Sequence, residues 1–343
     1  MSNAQQIFAV MLFLALSCVQ ASAAEGESVP LFADDTILEV QLTGPLEKLL
    51  SSKKERNEFP FVLTEGDVQH PVKVRVRGNS RLKVCDFPPL RINFKKSKTG
   101  ETVFSGQDKL KLVTHCKKSD EAEINILQEY AAYRIFNLIS DVSYRVRLIR
   151  MTYTNSDDTS DDASFERSGF VVESARELAD RAGGKRLGIE GVPRRSIDED
   201  QAAAVFVFQY LIGNTDWAFV AEEEKDTCCH NGDLLDIAAR FHYVPYDFDL
   251  AGLVDASYAY PDPSLRIRKV TQRLYRGLCL APQTLVGALQ KVKARQSDIL
   301  QVMRDIPGLS DDDVEASITY LQHFFARAEN EEALLETFAL SCL

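Results

Sequence analysis

The sequence predicts an α+β protein of two lobes, the first rich in strands around one long helix and the second mostly helical. Three observations lead there. Between Ile37 and Val113 short segments alternate apolar and charged residues with period two, as half-buried strands do. From Asp198 onward the apolar residues recur instead at helical spacing. Between these regions Asn155 to Ser164 is a polar run holding four Asp, which reads as a loop or hinge. A chain of 343 residues, 45% apolar and 27% charged, can bury a core of one or two domains, and 17 Gly and 12 Pro exclude a collagenous or low-complexity chain. The formal charge of −11 excludes a general nucleic-acid binder, which needs a concentrated basic surface.

The chain begins with an address. Ile7 to Leu16 is an apolar run of signal-peptide length, and Ala21-Ser22-Ala23 is a small-x-small cleavage pattern. Residues 1–23 are therefore read as a signal peptide, 24–154 as the β-rich lobe and 155–343 as the helical lobe. The apolar run is too short to span a bilayer and no later stretch is long enough, so no transmembrane anchor is expected. Export leads to the periplasm or the extracellular space. Cys18 lies near a lipoprotein-like Ala15-Leu16-Ser17, an alternative reading of the same segment. Cleavage leaves six cysteines in an oxidising compartment, where disulfides persist. Cys85 and Cys116 flank neighbouring strand-like segments and form the favoured bridge. Cys228 and Cys229 are adjacent and poorly placed to pair with each other, so one is expected to reach Cys279 or Cys342. A zinc site including His230 is the competing reading.

The elements follow in order. Ile37–Leu42, Val72–Arg77 and Leu90–Phe94 are strands, and Arg77-Gly78-Asn79-Ser80 is a turn. Lys109–Val113 is a further strand. Ser119 then caps a helix that runs to about Ile139, with Asp120, Glu121 and Glu123 at the positive end of its dipole. On this helix Ile124, Leu127, Ala131, Ile135 and Leu138 form one core stripe. Glu129, Ala132, Tyr133 and Phe136 form a second, so Glu129 is either part of a solvated flank or a buried carboxylate that needs a cation. Val146–Tyr153 and Phe170–Val172 are strands. The helix from Asp198 to Leu211 ends at Gly213, and Ser310 starts another near the C-terminus.

Chemistry concentrates between Gly213 and Asp249. Asp216 sits in a loop directly after an apolar helix. His230-Asn231, a hairpin-like pair of strands and Pro245-Tyr246-Asp247-Phe248-Asp249 follow. An Asp to orient a hydroxyl, then an amide and carboxylates to hold Mg²⁺ on phosphates, is the order of parts that phosphoryl transfer uses.

The strings Arg77-Gly78-Asn79-Ser80, Leu90-Arg91-Ile92-Asn93-Phe94, Leu127 to Phe136 and Pro245 to Asp249 resemble the CotH-type spore-coat kinases, an atypical branch of the protein-kinase-like fold, over roughly residues 70–280. The resemblance implies a bilobed protein-kinase-like fold, ATP as donor, Mg²⁺ or Mn²⁺, and transfer to a hydroxyl of a protein or small-molecule acceptor. Residue by residue, Asp216 resembles the catalytic Asp, Asn231 the metal-holding Asn, and Asp247 or Asp249 the metal-binding Asp. Glu129 resembles the helix Glu that pairs with a phosphate-binding cation. Lys111 ranks first for that cation, with Arg91 and Lys95 as alternatives, and the turn starting at Arg77 lies over the phosphates. Asn214-Thr215-Asp216 stands where kinases carry His-Arg-Asp, and 14 residues separate Asp216 from Asn231 where typical kinases have four. Asn231 is then either a metal ligand behind a looped-out insert or none at all.

The sequence is thus read as an exported, metal-dependent kinase. The alternatives are a catalytically inactive binding or scaffold protein of the cell envelope, and a carbohydrate hydrolase using Asp216 and Asp247. A Ser80–His115 hydrolase lacks a nucleophile elbow. Trp217 reads as core packing, and Arg266, Arg268, Arg273 and Arg276 as a solvated helix face or a site for an anionic group of the acceptor.

Overall fold

The computed structural model describes residues 30–95, 99–100, 102–160, 163–219 and 228–343. The expected signal peptide, Cys18 and most of the acidic insert lie outside these residues. In chain order the elements are β1 (Leu38–Gly44), α1 (Leu46–Ser51), β2 (Phe59–Glu65), β3 (Val68–Val76), α2 (Arg81–Val84), β4 (Leu90–Phe94), β5 (Lys109–Val113), α3 (Asp120–Ile139), β6 (Val146–Asn155) and β7 (Ser164–Val172). There follow α4 (Ala175–Arg181), β8 (Lys185–Leu187), α5 (Glu199–Ile212), β9 (Gly232–Ile237), β10 (Arg240–Pro245), α6 (Pro282–Ala294), α7 (Gln296–Asp305), α8 (Asp311–Ala328) and α9 (Glu331–Ala339).

Strands β1–β7 close into a mixed barrel in the order β1-β2-β3-β4-β5-β7-β6. This corrects the expected bilobed, kinase-like pairing of a β-lobe with a helical lobe. The closing seam is the parallel pair of β1 with β6, in register from Leu38 opposite Ile149 to Gly44 opposite Asn155. Period-two alternation marks strands singly and says nothing about which edges meet, and closure is what removes the edges. Val72, Val74, Leu90, Ile92, Leu112, Met151 and Tyr153 fill the interior as one apolar cluster.

The boundary expected at 154/155 also moves. Residues 155–163 connect β6 to β7, which pair from Val146 opposite Val172 to Thr154 opposite Ser164, so the polar run is a hairpin loop of the barrel. Both strands are apolar on two faces. Ile149, Met151 and Val171 point into the barrel. Leu148, Phe170 and Val172 join α3 and the C-terminal helices in a second, larger cluster. The long helix α3 therefore belongs to the core shared with α5. Its start matches the sequence, since the Ser119 side chain accepts from the Ala122 N–H and three acids occupy the first turn.

Disulfides join Cys85 to Cys116, the favoured pair, with Cα atoms 4.5 Å apart. Cys279 is bonded to Cys342 and Cys228 to Cys229, against the expectation that one of the neighbours would reach Cys279 or Cys342. The C-terminal backbone explains the exchange: Cys279 N–H donates to Leu343 and Leu343 N–H to Gly277, which brings Cys342 to Cys279. Among the described residues no helix is long and apolar enough to cross a membrane.

Candidate active site

Two loops meet at the end of α5. Gly213 ends that helix in the left-handed region, where a side chain would collide with the Tyr320 hydroxyl. The loops are tied together by Gly252 N–H donating to Gly213 and Leu253 N–H to Ile212. This sets Asp216, after α5, beside the segment that follows β10 and carries Asp247 and Asp249.

Glu129 is buried, at 1% exposure, so the stripe on α3 is no solvated flank. Its cation is Arg81, the first residue of α2. One guanidinium nitrogen, Nη2, donates to Glu129 Oε2 at 2.8 Å and to Asp247 Oδ1 at 2.9 Å, and Nε lies 2.9 Å from Asp249 Oδ2. Tyr258 donates to the same Asp249 oxygen, and the Asp247 N–H donates to the Tyr133 hydroxyl at 2.8 Å. One cation therefore faces three carboxylates. Burial, with Asp249 and Asp247 close by, pushes Glu129 up to about 8 against the pull of Arg81, and burial pushes Asp249 up to about 6. Burial opposes the Arg81 charge, but the three carboxylates outweigh it and raise its pKa. At neutral pH Glu129 holds a proton, which lowers the net charge of the cluster.

Lys111, ranked first for the Glu129 partner, points elsewhere. Its ammonium lies 5.8 Å and 5.6 Å from the ring centres of Tyr144 and Tyr246. Burial and then the Arg77 charge lower its pKa. Arg77 is likewise lowered by burial. Among the described residues neither side chain has an ion pair or a hydrogen bond. Arg91 pairs across the barrel wall with Lys111 in register but is committed to Glu58 at 2.9 Å, and so stands apart from the cluster, while Lys95 forms no ion pair with Glu129. Asp233, whose charge acts on Lys111, accepts from the Tyr144 hydroxyl and, at 2.6 Å, from Arg186 Nε.

Asp216 is held from both sides. His230 Nε2 is 2.9 Å from Oδ1, and Asn231 Nδ2 donates to Oδ2 at 2.7 Å and to the Asp216 carbonyl at 2.8 Å. Asn231 also accepts the Tyr246 N–H through its carbonyl, so an unbroken hydrogen-bonded path runs from Asp216 to the segment carrying Asp247. Asn231 and Asp247 have φ of +49° and +63°, a region non-glycine residues seldom adopt and one that concentrates at functional sites. Gly232 follows Asn231 because a Cβ there would lie 2.0 Å from the Tyr243 ring.

Asp216 opens onto a cleft of about 210 Å³ lined also by Trp217, His230, Tyr260, Asp262 and Arg276. Arg276 donates to the Thr215 carbonyl, and Arg273 stacks on Tyr320 and donates to Leu211, so these arginines are no helix face. Trp217 packs on Phe206 and donates to the Asn214 carbonyl, as its core reading required. The zinc reading fails because all six cysteines of the described residues are spent in disulfides, and no three His, Cys, Asp or Glu among those residues gather to hold an ion.

The residue that sequence reasoning missed is Arg81. The signal was present, since a Cys85–Cys116 bridge draws residues 81–85 to the chain just before α3 and hence toward Glu129.

No protein-family model matches the chain, and no curated protein matches it. Among solved structures it is similar to the Helicobacter pylori proinflammatory kinase CtkA, at 12% identity and a TM-score of 0.39, over 69% of this chain and 90% of that one. At that identity and score, the activity has to be judged from the site itself.

Proposed function

We propose that the protein is an exported phosphotransferase that moves the γ-phosphoryl group of a nucleoside triphosphate to a hydroxyl. The observation that carries this reading is the pair Arg77 and Lys111. They are half-buried cations near each other without an anionic partner, beside a segment that presents Asp247. Unpaired like charges at such depth are costly unless an anion joins them, and a polyphosphate is the anion that spans several cations. The three disulfides fit an oxidising compartment.

A divalent cation fits in part. Mg²⁺ is usually held by one or two carboxylates together with phosphates and water. Asp247 commits Oδ1 to Arg81 but is 40% exposed, so it has capacity left, and the Asn231 amide oxygen makes no hydrogen bond among the described residues. Asp249 is buried between Arg81 and Tyr258 and serves the cluster. Asp247 with Asn231 would therefore hold the ion, which neutralises charge on the transferring phosphoryl group when bound.

The protein's own part is positional. Asp216, fixed by His230 and Asn231, accepts the hydrogen bond of the acceptor hydroxyl and takes its proton. The hydroxyl oxygen forms the new bond to the γ-phosphorus as the bond to the β-bridging oxygen breaks, and the electron pair leaves with the nucleoside diphosphate. Arg77 and Lys111 hold the phosphates. Calorimetric titration with ATP and Mn²⁺ tests this: Arg77→Ala and Lys111→Ala each weaken binding at least tenfold, while Asp216→Asn changes it less than twofold. Equal affinity in parent and both cation variants would refute the assignment.

A further inference from the structure

The acceptor cleft has a composition that selects among hydroxyl compounds. Tyr260 stands at its rim with 78% of its surface in solvent, one of the few large apolar side chains so exposed among the described residues. The same cleft is lined by Asp216, Asp262 and Arg276. Arg276 spends one nitrogen on the Thr215 carbonyl, and its remaining N–H groups make no hydrogen bond among the described residues. Two carboxylates, one of them held by the His230 imidazole, meet one guanidinium, so the cleft carries no excess positive charge to select an anionic acceptor. A cleft of about 210 Å³ has room for one ring.

Resting on the reading of Asp216 as the group that orients the acceptor, we infer that the acceptor is a neutral sugar unit. A pyranose joins an apolar C–H face to a rim of vicinal hydroxyls. The face matches the exposed Tyr260 ring. The hydroxyls match groups that bind two partners at once, since a carboxylate accepts through two oxygens and Arg276 donates through several N–H groups. The hydroxyl beside Asp216 is the nucleophile. It loses its proton to that carboxylate and gains the γ-phosphoryl group, and the nucleoside diphosphate departs. The products are a sugar phosphate and the diphosphate, with no further reactant.

The molecule carries its own reporter. Trp217 is its single tryptophan and lines this cleft, so intrinsic fluorescence reads occupancy without any nucleotide. Glucose, galactose, xylose and N-acetylglucosamine are titrated against the full chain, beside a neutral serine-containing peptide. At least one sugar is expected to give a saturable change in Trp217 emission, with the peptide silent. Tyr260→Ala is expected to weaken that sugar at least tenfold and to leave ATP affinity, measured by calorimetry, within twofold. Tyr260→Phe, which keeps the ring, is expected to retain sugar binding. A response to the peptide and to none of the sugars overturns the sugar assignment, and intact ATP binding would then leave the phosphotransferase reading standing. Sugar binding indifferent to Tyr260→Ala overturns the stacking site. Sugar binding without ATP binding supports the saccharide site and defeats the phosphotransferase reading.

Discussion

Replacing Arg81 by methionine keeps much of the side chain's length and removes its charge, leaving Glu129, Asp247 and Asp249 around an uncharged thioether. Three contacts of 2.8–2.9 Å disappear together. Breaking a buried ion pair from one side costs about 3–5 kcal/mol, because the remaining charge stays buried without compensation. Here Glu129 already holds its proton at neutral pH and Asp247 is partly wet, so the larger part of the cost falls on the buried Asp249. Asp249 can escape it by taking up a proton, which places the expected loss at neutral pH near the lower end, about 3 kcal/mol. The loss shrinks toward pH 5, where the carboxyls of the variant are already protonated. Urea unfolding of parent and variant at pH 7 and pH 5 measures it. The double variant with Glu129→Gln is expected to lose less than the sum of the two single changes, since the two groups share a contact. A loss under about 1 kcal/mol at pH 7, or one that does not change with pH, would refute the idea that Arg81 holds this cluster together.

Other expectations follow from the same structure. Glu129 holds its proton up to about 8 in the fold, against 4.5 as the reference value, so the native state binds more protons across that window. Its contribution to stability therefore declines as pH rises from 4.5 to 8 and is flat above, and Glu129→Gln removes this slope from the unfolding free energy measured against pH. His115 has the opposite sign: burial and then Arg167 depress it to about 4 from 6.5, so stability falls as pH drops through that window, by up to about 3 kcal/mol. His115→Phe, stacked on Phe87 in its place, should abolish the difference in acid unfolding midpoints. The Cys85–Cys116 bridge closes a loop of separation 31, for which chain entropy gives about 4 kcal/mol. Paired Cys85→Ala and Cys116→Ala should lower the unfolding free energy by about 2–4 kcal/mol, and intact mass showing free thiols at all six of these cysteines in the parent would contradict the disulfide map.

Much of the local structure was legible because it depends on near neighbours. The Ser119 cap, the helix ending at Gly213 and the alternating strands each follow from a few adjacent side chains. The need of Glu129 for a cation was legible too, since its stripe was otherwise apolar. What escaped was set by distant contacts. Closure of the barrel depends on β1 meeting β6 more than 100 residues away, and no pattern within either strand announces its partner. Arg81 escaped because the cation arrives on a short helix anchored by a disulfide, and not on a strand next to α3 in sequence. The Cys279–Cys342 bridge escaped for the same reason, since it depends on the C-terminal backbone of Leu343 meeting Gly277 and Cys279.

Transfer of labelled γ-phosphate under single-turnover conditions, with Mn²⁺ and the sugar that most strongly perturbs Trp217, tests the central claim most directly. The parent should convert one ATP to one diphosphate per phosphorylated acceptor. Asp216→Asn should slow transfer at least 100-fold, within the range a positioned proton acceptor supplies, with ATP affinity within twofold of the parent. Transfer undiminished in Asp216→Asn, or a parent protein that does not bind ATP at all, would contradict the account.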